Sequence, residues 1–162
     1  MKPSKKQTLA FIEQDGKLLL GMKKRGFGAG RYNGFGGKVG YGKNSVPEET
    51  VEEALKKEML EESGIKIKKV EKRAIITFDL PSIDHFLEVH VFKITEYEGI
   101  PKETEEMRPE WFDKNGLPFD SMWPDDKYWF PHFLKGEMFT AKFKFDKNDE
   151  VLKHEIKLVD EL

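Results

Sequence analysis

The chain has 162 residues, with 28 lysines and arginines against 30 aspartates and glutamates, a net charge of −2 and no cysteine. This length predicts one domain over residues 1–162 with a sizeable core, and the lack of cysteine excludes disulfides, thiolate zinc sites and a cysteine nucleophile. The balanced charge argues against a polymeric nucleic acid as partner, and no apolar run reaches the ~18 residues of a membrane span, so we expect a cytoplasmic protein without membrane contact.

The first predicted element is a β-hairpin, followed by a glycine-rich loop. Strands at residues 8–12 and 17–22 flank Asp15-Gly16, a dipeptide typical of tight hairpin turns. Residues 26–42 then contain eight glycines among seventeen residues. That density is incompatible with a regular helix, so we expect a loop there, interrupted at most by a short strand.

The next predicted element is a helix that ends at Ser63-Gly64. Ser45-Val46-Pro47-Glu48 has the capping-box pattern, with a proline that a first turn tolerates. Apolar residues follow at helical spacing, namely Val51, Ala54, Leu55 and Met59. Gly64 favours a stop because glycine readily adopts the left-handed conformation that ends many helices.

The C-terminal half combines strands with one further helix. Strands are predicted at residues 66–78, 86–94, 137–145 and 151–158, with a short one at 111–112. A helix is predicted over residues 124–134, and Pro131 inside it implies a kink or an early end. Together these elements predict a mixed α+β fold with two main helices.

Three glutamates share one face of the first helix. Glu61 and Glu62 lie three and four residues after Glu58, so their carboxylates repel one another unless a cation lies between them. Oxygen ligands of this kind suit Mg²⁺, with Mn²⁺ as the second choice. On spacing alone, an exposed acidic face balanced by Lys56 and Lys57 is as good an interpretation as a metal site.

A longer string around these glutamates resembles the Nudix box. Glu49 is followed, after seven residues, by Lys57-Glu58-Met59-Leu60-Glu61-Glu62-Ser63-Gly64-Ile65, and from Glu58 onward every constrained position of that pattern is matched. The sequence departs from the pattern in having Lys57 where the family has arginine. The matching glycine upstream is Gly37, with eleven residues before Glu49, which amounts to an insertion of six.

The resemblance implies the Nudix fold, a mixed β-sheet sandwiched between helices, and the hydrolysis of a nucleoside diphosphate linked to another group. It implies a catalytic group consisting of Lys57, Glu58, Glu61, Glu62 and Glu106, and a divalent metal ion held by Gly37 with the four glutamates. It also implies a monomer that acts on a small nucleotide. For Glu106, an ordinary acid in the acidic loop at 103–106 is the alternative interpretation.

Outside the box, the likeness narrows to Nudix members that hydrolyse oxidised purine nucleoside triphosphates to the monophosphate and pyrophosphate. It is carried by residues 21–39, 90–92, 106–109 and 123–131. By position it implies that the nucleotide base is bound by Thr8, Phe27, Asn33, Phe78, Met107, Trp123, Asp125, Asp126 and Trp129, with Leu80 and Leu87 keeping the pocket apolar. Two alternatives stay open: hydrolysis of unmodified or methylated purine nucleotides, and a Nudix module that binds nucleotides without catalysis.

Two charged groups complete the expected site. Lys23 belongs to a basic block with Arg25, Arg31 and Lys38, which we expect to face the phosphates of the substrate. Asp125 and Asp126 are adjacent acids that, in an apolar pocket, should share one proton near neutral pH because both cannot be ionised at once. Such a pair can accept and donate hydrogen bonds on the edge of a purine. Stabilisation of a helix N-terminus by these two charges is the alternative.

Overall fold

Eight strands form one mixed sheet in the computed structural model, which describes residues 2–162. The strands are β1 (Ser4–Gln14), β2 (Lys17–Lys23), β3 (Tyr32–Asn33), β4 (Lys66–Asp79), β5 (Phe86–Glu98), β6 (Met107–Asp113), β7 (Phe139–Phe145) and β8 (Val151–Leu158). Their order in the sheet is β3-β2-β1-β5-β4-β7-β8, and β6 pairs with β2. The pairs β1–β5 and β4–β7 are parallel, and all other named pairs are antiparallel.

The helices α1 (Val51–Ser63) and α2 (Asp126–Leu134) pack against separate hydrophobic clusters of the sheet, and a short 3-10 helix (Phe119–Ser121) precedes α2. Alternation along β1 separates the clusters: Phe11 packs with the aromatic residues of α2, whereas Ala10 and Ile12 pack with the apolar side of α1. The predicted fold class, a mixed sheet between helices, is confirmed. Neither helix in residues 2–162 has the length and apolar content needed to cross a bilayer.

The predicted start of α1 at Ser45 was wrong. The helix begins at Val51, and Thr50 is its N-cap: the Thr50 side chain accepts a hydrogen bond from the Glu53 N–H, while the Glu53 carboxylate accepts one from the Thr50 N–H. The Ser45 hydroxyl is instead a partner of Lys57. The predicted end is confirmed, because Gly64 adopts the left-handed conformation with φ of 76°.

The bounds of β6 and α2 also differ from those predicted. Strand β6 is far longer than the predicted pair at 111–112, because it pairs with β2 along its whole length, from Lys17 opposite Asp113 to Lys23 opposite Met107. Helix α2 begins at Asp126 rather than Pro124, with Asp125 as the N-cap residue. Pro131 lies inside α2 without ending it.

Candidate active site

A cavity of about 380 Å³ brings together nearly all the predicted site residues. Its walls come from β1, the glycine-rich loop, α1, the central strands and the segment that leads into α2. The predicted residues that line it are Thr8, Lys23, Phe27, Asn33, Gly37, Glu58, Glu61, Glu62, Phe78, Glu106, Met107, Trp123, Asp125, Asp126 and Trp129. Lys57 is the predicted residue that lies outside its walls.

The glycine-rich loop reaches the cavity by running along β1. Ala10 and Phe35 exchange backbone hydrogen bonds of 2.7 and 3.0 Å, and the Thr8 N–H donates to the Gly37 carbonyl at 2.8 Å. The Thr8 hydroxyl lies 3.4 Å from the same carbonyl oxygen and is a second donor to it. A Cβ atom on Gly37 would lie 2.7 Å from the carboxyl carbon of Glu58, so a larger residue here would displace that side chain.

The carboxylates of α1 are crowded and partly desolvated. Glu62 is buried, and the Gly36 N–H donates to its Oε1 at 2.9 Å. Burial, with the charge of Glu61, raises the pKa of Glu58 to about 7. Burial also raises the pKa of Glu62 to about 8, with the charge of Glu58 adding to it and the Gly36 hydrogen bond opposing it. Both shifts show that negative charge here lacks compensation from the protein itself.

This donor set fits a hard divalent cation. Its ligating atoms are carboxylate oxygens, which Mg²⁺ and Mn²⁺ prefer, and it contains no thiolate. In the described part of the chain, no three His, Asp or Glu side chains are already arranged closely enough to hold a metal ion. The glutamates on α1 and Glu106 would therefore have to converge on it.

Lys57 lies outside the cavity, where it contacts Glu49. Its ammonium donates to Glu49 Oε2 at 3.0 Å, while the Gly40 N–H donates to Glu49 Oε1 at 2.8 Å. Burial opposes the ionised form of Glu49, but the hydrogen bonds from Gly40, Lys57 and Ser45 outweigh it and hold its pKa below the usual value. Lysine at this position thus still reaches the glutamate that the Nudix pattern pairs with arginine.

The loop that carries Glu106 is tied to α1 through one threonine. Thr104 Oγ1 donates to the Glu62 carbonyl at 3.1 Å, and it accepts hydrogen bonds from the N–H groups of Glu106 and Met107, both at 3.2 Å. Arg25 contacts Glu106 at 3.4 Å from the exposed side. These bonds fix the start of β6 relative to the C-terminal end of α1.

The predicted basic block divides into two pairs. Lys23 and Lys38 line the cavity. Arg25 and Arg31 are not among its lining residues: Arg25 pairs with Glu105 and Glu106, and the Arg31 guanidinium stacks on the Trp123 ring at 4.1 Å. Their guanidinium groups are engaged by neighbouring side chains, which the sequence alone does not reveal.

The cavity also contains a buried pair of acids. Asp125 and Asp126 are 2 % and 3 % exposed, and Trp129 Nε1 donates to Asp125 Oδ2 at 2.8 Å. Burial raises the pKa of Asp125 to about 6. Burial and the adjacent Asp125 charge raise the pKa of Asp126 well above its usual value. Asp126 Oδ2 finds no hydrogen-bond partner within residues 2–162, and Asp125 makes no side-chain cap of α2.

Aromatic and amide groups line the cavity together with the acid pair. The rings of Phe27 and Trp123 lie 5.1 Å apart, and Phe78 stacks on Phe143 at 5.8 Å. Asn33 Oδ1 accepts the Gly34 N–H at 2.8 Å, which leaves the Asn33 amide nitrogen as a donor. Leu80 and Leu87 line the cavity as expected.

Sequence reasoning missed several lining residues. Leu9, Val89 and Phe145 belong to strands whose alternation could have placed them on the same face as Phe78. Lys43 and Asn44 also line the cavity. They fall in the inserted segment between Gly37 and Glu49, for which no motif existed to suggest a role.

Comparison with known proteins now defines the class. The pattern of the NUDIX domain matches residues 5–133, so the chain belongs to the Nudix domain family. Over nearly its full length the chain is similar to two proteins called oxidized purine nucleoside triphosphate hydrolase. It is 45% identical to that of Danio rerio over 159 residues, 98% of each chain, and 44% identical to that of Mus musculus over 160 residues, 99% of each.

Solved structures agree with the fold. A MutT protein from Bacillus halodurans superimposes with a TM-score of 0.79 at 26% identity, covering 94% of this chain and 97% of that one. A MutT NUDIX hydrolase from Burkholderia pseudomallei gives a TM-score of 0.63 at 26% identity, covering 72% of this chain and 88% of that one. The long sheet with its two helices is thus shared with bacterial members of the family.

Proposed function

We propose that the protein hydrolyses oxidised purine nucleoside triphosphates, such as 8-oxo-dGTP and 2-hydroxy-dATP, to the nucleoside monophosphate and pyrophosphate, with Mg²⁺ as cofactor. One observation carries this proposal: the acidic face of α1 and the buried pair Asp125 and Asp126 line the same cavity. The first group suits a metal ion with phosphates, and the second suits the polar edge of a purine. The names of the two similar hydrolases support the same substrate class.

At the acidic face of α1, the protein's own groups hold the cation and the phosphates. Glu58, Glu61, Glu62 and Glu106 provide the oxygen ligands, and Lys23 contacts the polyphosphate. When bound, a divalent ion neutralises phosphate charge and lowers the pKa of a water molecule, which favours attack on phosphorus. Glu106, which lines the same cavity from the loop before β6, serves as the proton acceptor for that water. Desolvation around Glu58 and Glu62 strengthens their attraction for the cation.

For the base, the acid pair supplies one donor and one acceptor. Asp126 keeps the shared proton, because its pKa is raised by burial and by the charge of Asp125. Asp125, held by Trp129, accepts from the N–H groups on the Watson–Crick edge of a guanine. The Asn33 amide adds a second donor, and Trp123 provides a flat face against which a base can stack.

A second candidate, hydrolysis of unmodified or methylated purine triphosphates, is favoured by the same acid pair. Guanine and its 8-oxo form present the same Watson–Crick edge, so contacts from Asp125 and Asp126 alone accept both. Discrimination must then come from groups that contact the rest of the base, among them Asn33.

The test compares 8-oxo-dGTP, 2-hydroxy-dATP and dGTP in Mg²⁺ buffer by pyrophosphate release. We expect kcat/KM to be at least about tenfold higher for the oxidised substrates, a difference of about 1.4 kcal/mol in transition-state binding. Equal values would favour the second candidate. No pyrophosphate from any substrate would indicate a binding module. Glu58→Gln is the control for catalysis by this site.

We also propose that the working unit is a cytoplasmic monomer with one domain over residues 1–162. The family resemblance supports a monomer, and the lack of cysteine suits a reducing compartment. Light scattering during gel filtration measures the mass directly. A dimer mass would contradict the monomer.

A further inference from the structure

The inserted segment is fastened to α1 by the side chain of Lys57. After the Val39 N–H, which donates to the Lys6 carbonyl at 3.0 Å, the chain leaves β1. Residues 40–45, here called the arm, then contact the Lys57 side chain of α1. There the Lys57 ammonium donates to the Asn44 carbonyl at 3.0 Å and to Ser45 Oγ at 3.3 Å, while it also bonds Glu49. A single ammonium thus joins the arm to the helix that carries Glu58.

A second contact fixes the start of the arm, and a tight turn forms its tip. Gln7 Nε2 donates to the Tyr41 hydroxyl at 3.1 Å, which anchors the arm to β1. The Ser45 N–H donates to the Gly42 carbonyl at 3.1 Å, so Lys43 and Asn44 are the central residues of a turn. Asn44 has φ of 64°, a conformation that asparagine tolerates better than most residues.

The turn places an unpaired cation in the wall of the cavity. Lys43 lines the cavity together with Glu58, Glu61 and Glu62, and no carboxylate within residues 2–162 lies within 4.0 Å of its ammonium. Lys38, the neighbouring lysine, is directed differently: its ammonium lies 5.7 Å from the Tyr41 ring centroid. Lys43 is therefore free to meet a polyanion that enters the cavity.

We propose that the arm binds the polyphosphate of the nucleotide, with Lys43 as the contact and Lys57 as the positioning residue that holds the arm on α1. This inference rests on the proposed function for a nucleotide as the substrate. The identity of its base does not matter to it, because the arm contacts only the phosphates. A free ammonium beside a bound polyanion adds affinity, and the two bonds from Lys57 to Asn44 and Ser45 keep Lys43 from moving away.

The first experiment measures binding of inorganic tripolyphosphate in Mg²⁺ buffer by calorimetry, using Lys43→Ala and the control Lys147→Ala. Lys147 is an exposed lysine that does not line the cavity, and its substitution changes the net charge equally. We expect Lys43→Ala to weaken binding roughly 1.5-fold to 5-fold, as for one exposed charge contact, with Lys147→Ala unchanged. Unchanged affinity in Lys43→Ala, an equal loss in Lys147→Ala, or no binding by the unaltered protein would overturn the proposal.

The second experiment is a double-mutant cycle between Lys43→Ala and Lys57→Met. We expect Lys57→Met to weaken tripolyphosphate binding in the natural background and to add nothing further in the Lys43→Ala background, while Lys57→Arg retains affinity. Equal losses in both backgrounds would show that Lys57 does not act through Lys43. If Lys57→Met unfolds, Ser45→Ala, which removes one arm partner of Lys57, replaces it in the cycle.

These binding measurements separate the two proposals. A protein that fails to hydrolyse oxidised purine triphosphates but loses tripolyphosphate affinity in Lys43→Ala would refute the proposed function and keep the arm. A protein that hydrolyses the oxidised substrates selectively, but whose tripolyphosphate affinity is unchanged in Lys43→Ala, would support the proposed function and refute the role of the arm.

Discussion

Replacing Gly37 with alanine should separate activity from stability. The new methyl carbon would lie 2.7 Å from the Glu58 carboxyl carbon, where ordinary contact begins at 3.4 Å. The Glu58 side chain can rotate away, so the strain is relieved by moving its carboxyl group about 0.7 Å. Gly37 is outside the left-handed region, so alanine can adopt its backbone conformation without strain.

The expected cost is catalytic. A displacement approaching 1 Å at a reacting group lowers rates by up to ~100-fold, so we expect kcat to fall about 10- to 100-fold, or about 1.4 to 2.7 kcal/mol in the activation barrier. Stability should hold or rise by about 0.4 to 1 kcal/mol, because alanine restricts the unfolded chain.

The assay pairs pyrophosphate release with urea unfolding and Mn²⁺ titration. Gly116→Ala is the matched control, because its added carbon would find its nearest neighbour at 3.9 Å and its backbone is also outside the left-handed region. Full activity in Gly37→Ala would refute the reasoning that this glycine makes room for a working carboxylate. So would a loss of activity explained by unfolding.

Three further predictions concern the buried acids. Glu62→Gln keeps an acceptor for the Gly36 N–H but removes a carboxyl group whose pKa is about 8. Because this group costs the natural protein stability as pH rises through that value, the variant should melt at a higher temperature at pH 9 without metal, and an unchanged melting temperature would contradict this. The variant should also show little stabilisation by Mg²⁺ and lose most of its activity. Asp126→Asn removes a group whose pKa is raised in the folded state. Above pH 4, the stability of the variant relative to the natural protein should therefore increase by at most about 1.4 kcal/mol per pH unit, until the pKa of the folded state is passed. A difference in urea unfolding that does not depend on pH would count against a buried, protonated Asp126. Trp129→Phe removes the donor to Asp125, so we expect about 1 to 3 kcal/mol of destabilisation from the lost hydrogen bond and, because that bond lowers the pKa of Asp125, a pH profile of KM moved upward.

Features set by local chemistry were predictable from the sequence. The Asp15-Gly16 turn and the stop at Gly64 depend on backbone conformations that glycine adopts within a few residues. The acidic face of α1 follows from helical spacing alone. The presence of nearly all expected residues in one cavity rested on the family resemblance, because residues as distant as Thr8 and Asp126 meet only through the fold.

Features set by tertiary partners were not predictable. The capping-box pattern that begins at Ser45 does not cap the helix: the Ser45 hydroxyl is a partner of Lys57, and Thr50 is the N-cap. The length of β6 depends on its register with β2. Arg31 was expected at the phosphates, yet its stacking on Trp123 depends on how the chain around Trp123 folds back over the glycine-rich loop.

The backbone hydrogen bonds between β1 and residues 35–39, here called the ladder, limit which changes of loop length this protein can accept. The bonds, or rungs, run from the Ala10–Phe35 pair to the Val39 N–H and the Lys6 carbonyl, and they fix the position of Gly36 and Gly37 beside α1. A residue gained or lost within the ladder would shift every rung after it and turn the wrong backbone groups toward the carboxylates. Length changes are tolerable only after Val39, so a loop transplanted there from a relative could alter phosphate binding while leaving base recognition intact.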